Sequence, residues 1–336
     1  MAKVFLVSVY EHQEYDPNTH YALEALKKSA AADPFHVHTV TNDAEEAEIV
    51  LFVEMGTCGM FAEVVRAHPV YRRYPEKCFL YDWGDDFWPI LPGIYPSLRK
   101  KYYSREHTRS WHYILPENPY LGHRPVKGSE KYLASFVGST NTHSVRESFL
   151  HYNHPDIHVM DTSKESYRIR YHGTREEKEV FWQRYADSIG DSLFSLCPRG
   201  RGPGSIRLYE SMKVGRACII LSDEWVPNDG VDWDSFSIRV PEAEVERVPE
   251  LLEAMRDRAI GMGIRARQQW ETWFSPEVCF HRMTELCLAM KGLRTQHGLA
   301  RRIRHYRHMV KPANWRIYLR SRAILYRRNK KVDWVI

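Results

Sequence analysis

Two α/β halves built on parallel sheets are what this sequence predicts, and three observations predict them. Short apolar runs alternate with helical patterns along most of the chain, the mark of a parallel sheet covered by helices on both faces. A length of 336 residues suggests roughly two domains at ~100–200 residues each. Residues 193–225 read as strand, basic glycine-rich loop, helix, strand and loop, the core of a Rossmann-like unit.

The first half opens with an apolar run, Val4 to Val9, read as the first strand. A loop rich in acids and aromatics, Tyr10 to His20, leads to a helix over Tyr21 to Ala32. Val37 to Val40 and Ile49 to Val53 read as strands, the second preceded by the acidic turn Asp43 to Glu48. Cys78 to Tyr81 is the next strand and runs into Asp82-Trp83-Gly84-Asp85-Asp86. Pro89, Pro92, Pro96, Pro116, Pro119 and Pro125 deny a long helix to residues 87–130. This stretch finishes the first domain and becomes a linker near Gly122 to Glu130.

The second half begins with the strand Tyr132 to Val137, then Gly138-Ser139 and a helix from Ser144 to Tyr152. A helix over Glu176 to Ile189 precedes the strand Leu193 to Cys197, which Pro198 stops. Ser205 is placed to cap a helix carrying Ile206, Met212 and Val214, and Gly215 ends it. Ala217 to Leu221 is a second buried strand. Val248 to Arg258 and Arg265 to Trp273 read as helices. The domains expected are 1–125, 126–290 and a basic helical tail, 291–336.

Composition excludes several classes. A hydrophobic content of 43% is ample for folded cores, and no run nears the ~18 apolar residues of a membrane span. Met1 to Tyr10 has neither a basic region nor a cleavage site, so no signal peptide is read there. The six cysteines, at 58, 78, 197, 218, 279 and 287, form no Cys-x-x-Cys pair and read as reduced, buried thiols in the cytoplasm. No repeat of 20–50 residues is present. From Arg294 to the end there are thirteen Lys and Arg against one acid, Asp333, a local charge of +12. The whole chain carries +5, so the first 293 residues stand at −7. The basic character belongs to the tail.

The loop between the strands at 193 and 217 carries the most chemistry. It sets backbone N–H groups at a helix N-terminus, flanked by Arg199, Arg201 and Arg207. The partial positive charge and unpaired donors of a helix N-terminus make a seat for phosphate.

The same residues resemble the exostosin-type glycosyltransferases, glycosyltransferase family 47. The resemblance rests on Cys197, Pro198, Arg199, Gly200, Ser205, Arg207, Leu208, Glu210, Gly215 and Ser222-Asp223 in order. It is clearest over about 190–240. It is weaker at Ala47 to Glu54, at Asp82-Trp83-Gly84 and at Phe136 to Arg146, and nothing in 290–336 matches. It implies a GT-B fold: two Rossmann-like domains facing a cleft, an N-terminal acceptor domain and a C-terminal nucleotide-sugar donor domain. It also implies an inverting, metal-independent transfer of a sugar from a nucleoside diphosphate, UDP first, to a glycan or lipid-linked glycan, with no cofactor.

In the donor domain, Arg207 is the first candidate for the diphosphate, because two parallel N–H bonds suit phosphate oxygens. Backbone around Gly200, Gly202, Gly204 and Ser205 supplies further donors. Arg199 and Arg201 flank it, one of them readable as a solvated loop charge. Glu210 either receives ribose hydroxyls, as the resemblance implies, or pairs with Arg207 one turn away. Gly138, Ser139 and Arg146 form a second donor-binding group, with Arg146 alternatively a surface residue. Asp223 lines the donor by resemblance, and Trp225 is either lining or core.

An inverting transfer needs one base for the acceptor hydroxyl. Asp82 is the first choice and Glu54 the second, with Asp85, Asp86, Glu11 and His12 as further candidates. Asp232-Trp233-Asp234 reads as a turn rather than a metal site. His36/His38 and His151/His154 show no zinc-finger or protease spacing, so no metal is expected.

The tail mixes Arg301, Arg302, Arg304, Arg307, Arg316, Arg320, Arg322, Arg327 and Arg328 with Trp315, Tyr306 and Tyr326. Such a segment suits an anionic membrane surface or packs on its own protein. The chain is therefore expected in the cytoplasm, peripheral at the inner face of the membrane. No nucleic-acid module accompanies the charge, and no nucleic acid is expected. The alternative functional class is a nucleotide- and glycan-binding protein without turnover.

Overall fold

The computed structural model describes residues 1–9, 20–54, 62–85 and 89–294, together with Trp315 and Leu319. The chain forms two compact units. The first comprises Met1–Leu98, Tyr102–Ile114 and the segment from Cys279; the second comprises Arg99–Lys101 and Leu115–Val278.

The first unit holds β1 (Lys3–Val7), α1 (Tyr21–Ala31), β2 (Thr39–Val40), β3 (Ile49–Glu54), α2 (Glu63–Ala67), α3 (Pro69–Arg73), β4 (Cys78–Asp82), β5 (Gly93–Ile94) and β6 (Thr108–Arg109). The strands pair in the order β2-β1-β3-β4-β5-β6, and every pairing is parallel. Every residue of β3, Ile-Val-Leu-Phe-Val-Glu, is buried, as a central parallel strand covered on both faces must be. In its register Val53 meets Tyr81 and Glu54 meets Asp82.

The second unit holds β7 (Tyr132–Gly138), α4 (Ser144–Ser148), β8 (Ile157–Asp161), α5 (Ser166–His172), α6 (Arg175–Gly190), β9 (Ser192–Pro198), α7 (Ile206–Val214), β10 (Ala217–Leu221), β11 (Ser237–Arg239), α8 (Val248–Ala254) and α9 (Ala259–Trp273). Its five strands, again all parallel, run β11-β10-β9-β7-β8. Phe136, Phe149, Phe194, Leu196, Ile219 and Leu221 lie in its core. The helix α6 starts with a capping box in which Thr174 and Glu177 exchange side-chain and backbone bonds.

The chain thus holds two Rossmann-like α/β units, each on its own parallel sheet, as the sequence predicts. The domain limits differ from 1–125 and 126–290 for a physical reason. The final described helix, α10 (Cys279–Arg294), packs on α1 of the first unit, where Phe280 N donates to Ser29 Oγ at 2.9 Å. Its buried Phe280, Met283, Cys287 and Met290 explain why the chain returns there. At the other limit, residues 115–125 join the second unit: Arg124 N donates to Val214 O at 3.0 Å.

Among the described residues no helix is long and apolar enough to cross a membrane. The basic tail lies outside the described residues except for Trp315 and Leu319, both helical and exposed. Glu11, His12 and Asp86 also lie outside them.

Candidate donor site and a pair of buried carboxylates

In an open parallel sheet, ligands bind beyond the carboxyl ends of the strands where the strand order reverses. In the second unit that point lies between β7 and β9, the two strands from which the chain runs outward in opposite directions. The segments leaving them are 139–143 and 199–205, which carry most of the donor residues expected from the sequence.

Arg146 ties these two segments together. Its Nε donates to Arg199 O at 2.7 Å, Nη1 to Ser139 O at 3.1 Å and Nη2 to Pro198 O at 3.3 Å. The guanidinium sits 5.5 Å from the Phe136 ring centroid. Arg146 is thus a clamp on strand-end carbonyls and not a surface residue. Gly200 lies under it: a Cβ there would come within 3.1 Å of Arg146 Nη2. At the end of β7, a Cβ on Gly138 would meet the Phe136 ring at 3.0 Å. Ser139 Oγ faces Ser166 Oγ at 3.2 Å.

Arg207 stands in the first turn of α7 and is buried. Its guanidinium lies between the rings of Phe136, at 5.2 Å, and Tyr185, at 4.5 Å. Its Nη2 donates to Val137 O, the next-to-last carbonyl of β7. Its Nη1 is buried with no partner in the protein. Glu210 lies on the same helix, but its carboxylate accepts from Tyr185 OH. Burial raises the Glu210 pKa, against the pull of Tyr185 and Arg207. The same burial pushes the Tyr185 phenol up.

Ser205 occupies the position before α7 with extended backbone, but its side chain makes no capping bond. Gly200, Gly202, Gly204 and Ser205 are all buried in the loop, and Arg201 is exposed. Arg199 is 6% exposed and lies near carboxylates, 3.3 Å from Glu242 and 3.6 Å from Glu224. It is therefore an internal ion-pair residue rather than a solvated charge. Its Nε nonetheless lacks a partner, as does Ser222 Oγ at the end of β10. Asp223 and Glu242 brace the next loop reciprocally: Asp223 N donates to Glu242 Oε1 at 2.9 Å, and Glu242 N to Asp223 Oδ1 at 3.2 Å. Trp225 is buried edge-on to Trp233 at 4.8 Å, which places it in the core. Asp232 and Asp234 are exposed on a 3-10 turn around buried Trp233, as the turn reading expects.

Sequence reasoning did not single out Tyr185, His143 or Glu242. Tyr185 reaches the site from α6, and its sequence neighbourhood carries no motif. His143 caps α4 with Nδ1, accepting from Val145 N at 3.3 Å, and its Nε2 is 3.8 Å from Glu242. Burial first, and then Arg199, hold it below its ordinary pKa.

In the first unit the strand order reverses between β1 and β3. There Glu54 Oε1 accepts from Val9 N at 2.9 Å and Oε2 from Ser8 Oγ at 3.3 Å. Burial pushes its pKa up to about 8, opposed by those donors and reinforced by the charge of Asp82. Asp82 is 2% exposed, and its Oδ1 accepts from Gly84 N at 2.9 Å. Asp85 Oδ1 accepts from Ser97 Oγ at 2.7 Å. The two candidate bases are thus adjacent, and at neutral pH Glu54 is mostly protonated.

The family model for the exostosin GT47 domain matches residues 105–255. The chain is 28% identical over 146 residues to an exostosin-1 homolog of Caenorhabditis elegans, covering 40% of this chain and 38% of that protein. It is 28% identical over 158 residues to exostosin-1 of Drosophila melanogaster, covering 44% of this chain and 21% of that protein. The chain therefore spans well under half the length of these relatives. Among solved structures, that of TarM aligns with a TM-score of 0.42 and 10% identity, over 71% of this chain and 54% of the other. Over residues 105–255 the chain thus matches the exostosin GT47 domain, and over part of its length it is similar to exostosin-1 proteins.

Proposed function

We propose that the chain is an inverting, metal-independent glycosyltransferase. It moves a sugar from a nucleoside diphosphate, UDP first, to a glycan or lipid-linked glycan acceptor. The observation that carries this reading is the Arg207 Nη1 donor, buried without a protein partner beside the strand-order reversal of the second sheet. Orphaned buried donors are rare in native proteins and call for a partner. A diphosphate supplies one, and its developing charge at departure is what a preoriented guanidinium stabilises. Arg199 Nε and Ser222 Oγ are further buried polar atoms awaiting a partner.

In the displacement, the acceptor hydroxyl loses its proton to the base while its oxygen bonds to the anomeric carbon. The bond from that carbon to the β-phosphate oxygen breaks, and the nucleoside diphosphate leaves. Arg207 and the N–H groups before α7 hold the leaving charge. Arg146 positions both loops. Asp82 is the base, since Glu54 keeps its proton near pH 7. Glu210 and Tyr185 form a polar pair for the ribose.

Incubation with a panel of nucleoside-diphosphate sugars and glycan acceptors tests this. Release of nucleoside diphosphate in EDTA, with an inverted anomer by NMR, is the expected result. Turnover that Arg207→Lys leaves unchanged overturns the assigned role. The second reading, binding without turnover, is favoured by the 1% and 2% exposure of Glu54 and Asp82. Nucleotide binding with no product across the panel is its signature.

A further inference from the structure

Far from the donor loops in sequence, the first unit gathers two imidazoles and a carboxylate. His38 stands at the end of the turn between α1 and β2, just before Thr39. His281 and Glu285 stand on α10, four residues apart and so on one helix face. Their nearest ligand-type atoms all lie within 4.8 Å of one another. His38 Nε2 and Glu285 Oε1 are 2.7 Å apart.

Two features set this cluster apart from ordinary core histidines. His38 is 5% exposed and His281 8%, yet Nδ1 of both is buried with no partner in the protein. Asp33, at the start of the same turn, also buries an oxygen, Oδ2, without a partner. Its other oxygen accepts from Phe35 N at 3.1 Å, which shapes the turn. The Phe35 ring stacks on His281 at 4.0 Å, and Arg282 lies over the same ring at 5.1 Å.

We propose that His38, His281 and Glu285 bind one divalent transition-metal ion of the zinc class, which staples α10 to the turn between α1 and β2. Two imidazole nitrogens and one carboxylate oxygen are a donor set that zinc accepts, with a fourth position left for water. Bonds of ~2.0–2.1 Å at a tetrahedral angle place ligand atoms roughly 3.3 Å apart. The 2.7 Å His38–Glu285 contact opens slightly, and the wider separations close. The Glu285 side chain is half exposed and free to make that adjustment. Asp33 lies near enough to His281 to act on its charge. The metal replaces a hydrogen bond between α10 and the turn with three stronger links. It serves the first unit's architecture, and it stands or falls separately from the transfer chemistry.

The test uses the untagged full chain, stripped with EDTA and dialysed, and titrated with Co2+ as a spectroscopic stand-in for zinc. We expect visible ligand-field bands that saturate at one equivalent and vanish when Zn2+ is added. One equivalent of zinc should raise the melting temperature, and EDTA should reverse the rise. Glu285→Gln, at a half-exposed site where the fold tolerates it, should weaken Co2+ binding at least 10-fold. Absence of bands in the parent chain overturns the proposal. So do bands of unchanged affinity in both Glu285→Gln and His281→Asn, since the ion would then sit among other histidines of the seventeen.

Discussion

The two sheets share a strand order and differ in charge where that order reverses. Read outward from the reversal, β2-β1-β3-β4 in the first unit and β8-β7-β9-β10 in the second are the same scaffold. In the first, a carboxylate, Glu54, caps the reversal and accepts from the backbone of residue 9. In the second, guanidiniums do so, with Arg146 and Arg207 donating to the carbonyls of Pro198, Ser139, Arg199 and Val137. One fold satisfies stranded backbone groups with a buried carboxyl group at one end and with guanidiniums at the other. The first end holds a proton on Glu54, and the second is the end at which an anion is proposed to bind.

The strongest way to break this comparison is through pH at the carboxylate end. The folded pKa of Glu54, about 8, stands above its ordinary value of 4.5. A raised carboxyl pKa means the folded state holds the proton more tightly. Its contribution is therefore complete below about 4.5 and is lost as pH rises through about 8. At ~1.4 kcal/mol per pKa unit the loss has an upper bound of about 5 kcal/mol. Glu54→Gln keeps the acceptor for Val9 N but never ionises, so its stability should exceed that of the parent at pH 9 and match it near pH 5. Urea denaturation at the two pH values measures this; parallel pH dependence in both proteins would contradict it.

The anion end is probed next. Arg207→Met removes the buried cation while keeping an aliphatic stem between Phe136 and Tyr185. Loss of one leaving-group donor should lower kcat/KM ~10²–10³-fold, about 3–4 kcal/mol. The melting curve without ligand should shift far less than the one with nucleotide.

Arg146→Ala sharpens the division between binding and positioning. It strands three carbonyls of the two loops, so it should cost roughly 2–4 kcal/mol of stability. Arg146→Lys should recover part of it, because a single ammonium cannot span all three. The smallest effect belongs to a control remote from both ends. Thr174→Ala removes the capping box of α6 and should cost ~1 kcal/mol, with nucleotide affinity unchanged.

The donor region was the most legible part of the sequence. The strand expected at Leu193 to Cys197 is β9 with one more residue at each end, and Ala217 to Leu221 is β10 itself. Both are mostly apolar runs, one stopped by Pro198 and the other following Gly215, and local chemistry decides them. Gly215 ends α7 at φ +92°, a backbone that glycine accepts without strain. The strand β8 was not foreseen. It is an edge strand with one buried residue in Ile-His-Val-Met-Asp, so its composition carries little apolar signal. The helix α10 escaped too, because its partner α1 lies some 250 residues earlier, beyond any local pattern.

The site shows the same split. The place of Arg207 in the first turn of α7 follows from the strand-loop-helix pattern, and Gly200 was singled out by the resemblance, while Tyr185 carries no such signal. The side chain of Arg146 was expected either at phosphate or at the surface, and it clamps the loops instead, a choice that depends on where the carbonyls of β7 and β9 end. His38 and His281 looked like unrelated histidines because their meeting depends wholly on tertiary packing.

The most direct test of the central contrast is a thermal-shift panel of UDP, GDP, CMP and dTDP, each with and without EDTA, on the parent chain and Arg207→Met. A nucleotide at a hundred times its dissociation constant should stabilise the fold by ~2.7 kcal/mol. A shift with one nucleoside diphosphate that survives EDTA and is lost in Arg207→Met is the expected result. An equal shift in the two proteins, or none with any nucleotide, would contradict it.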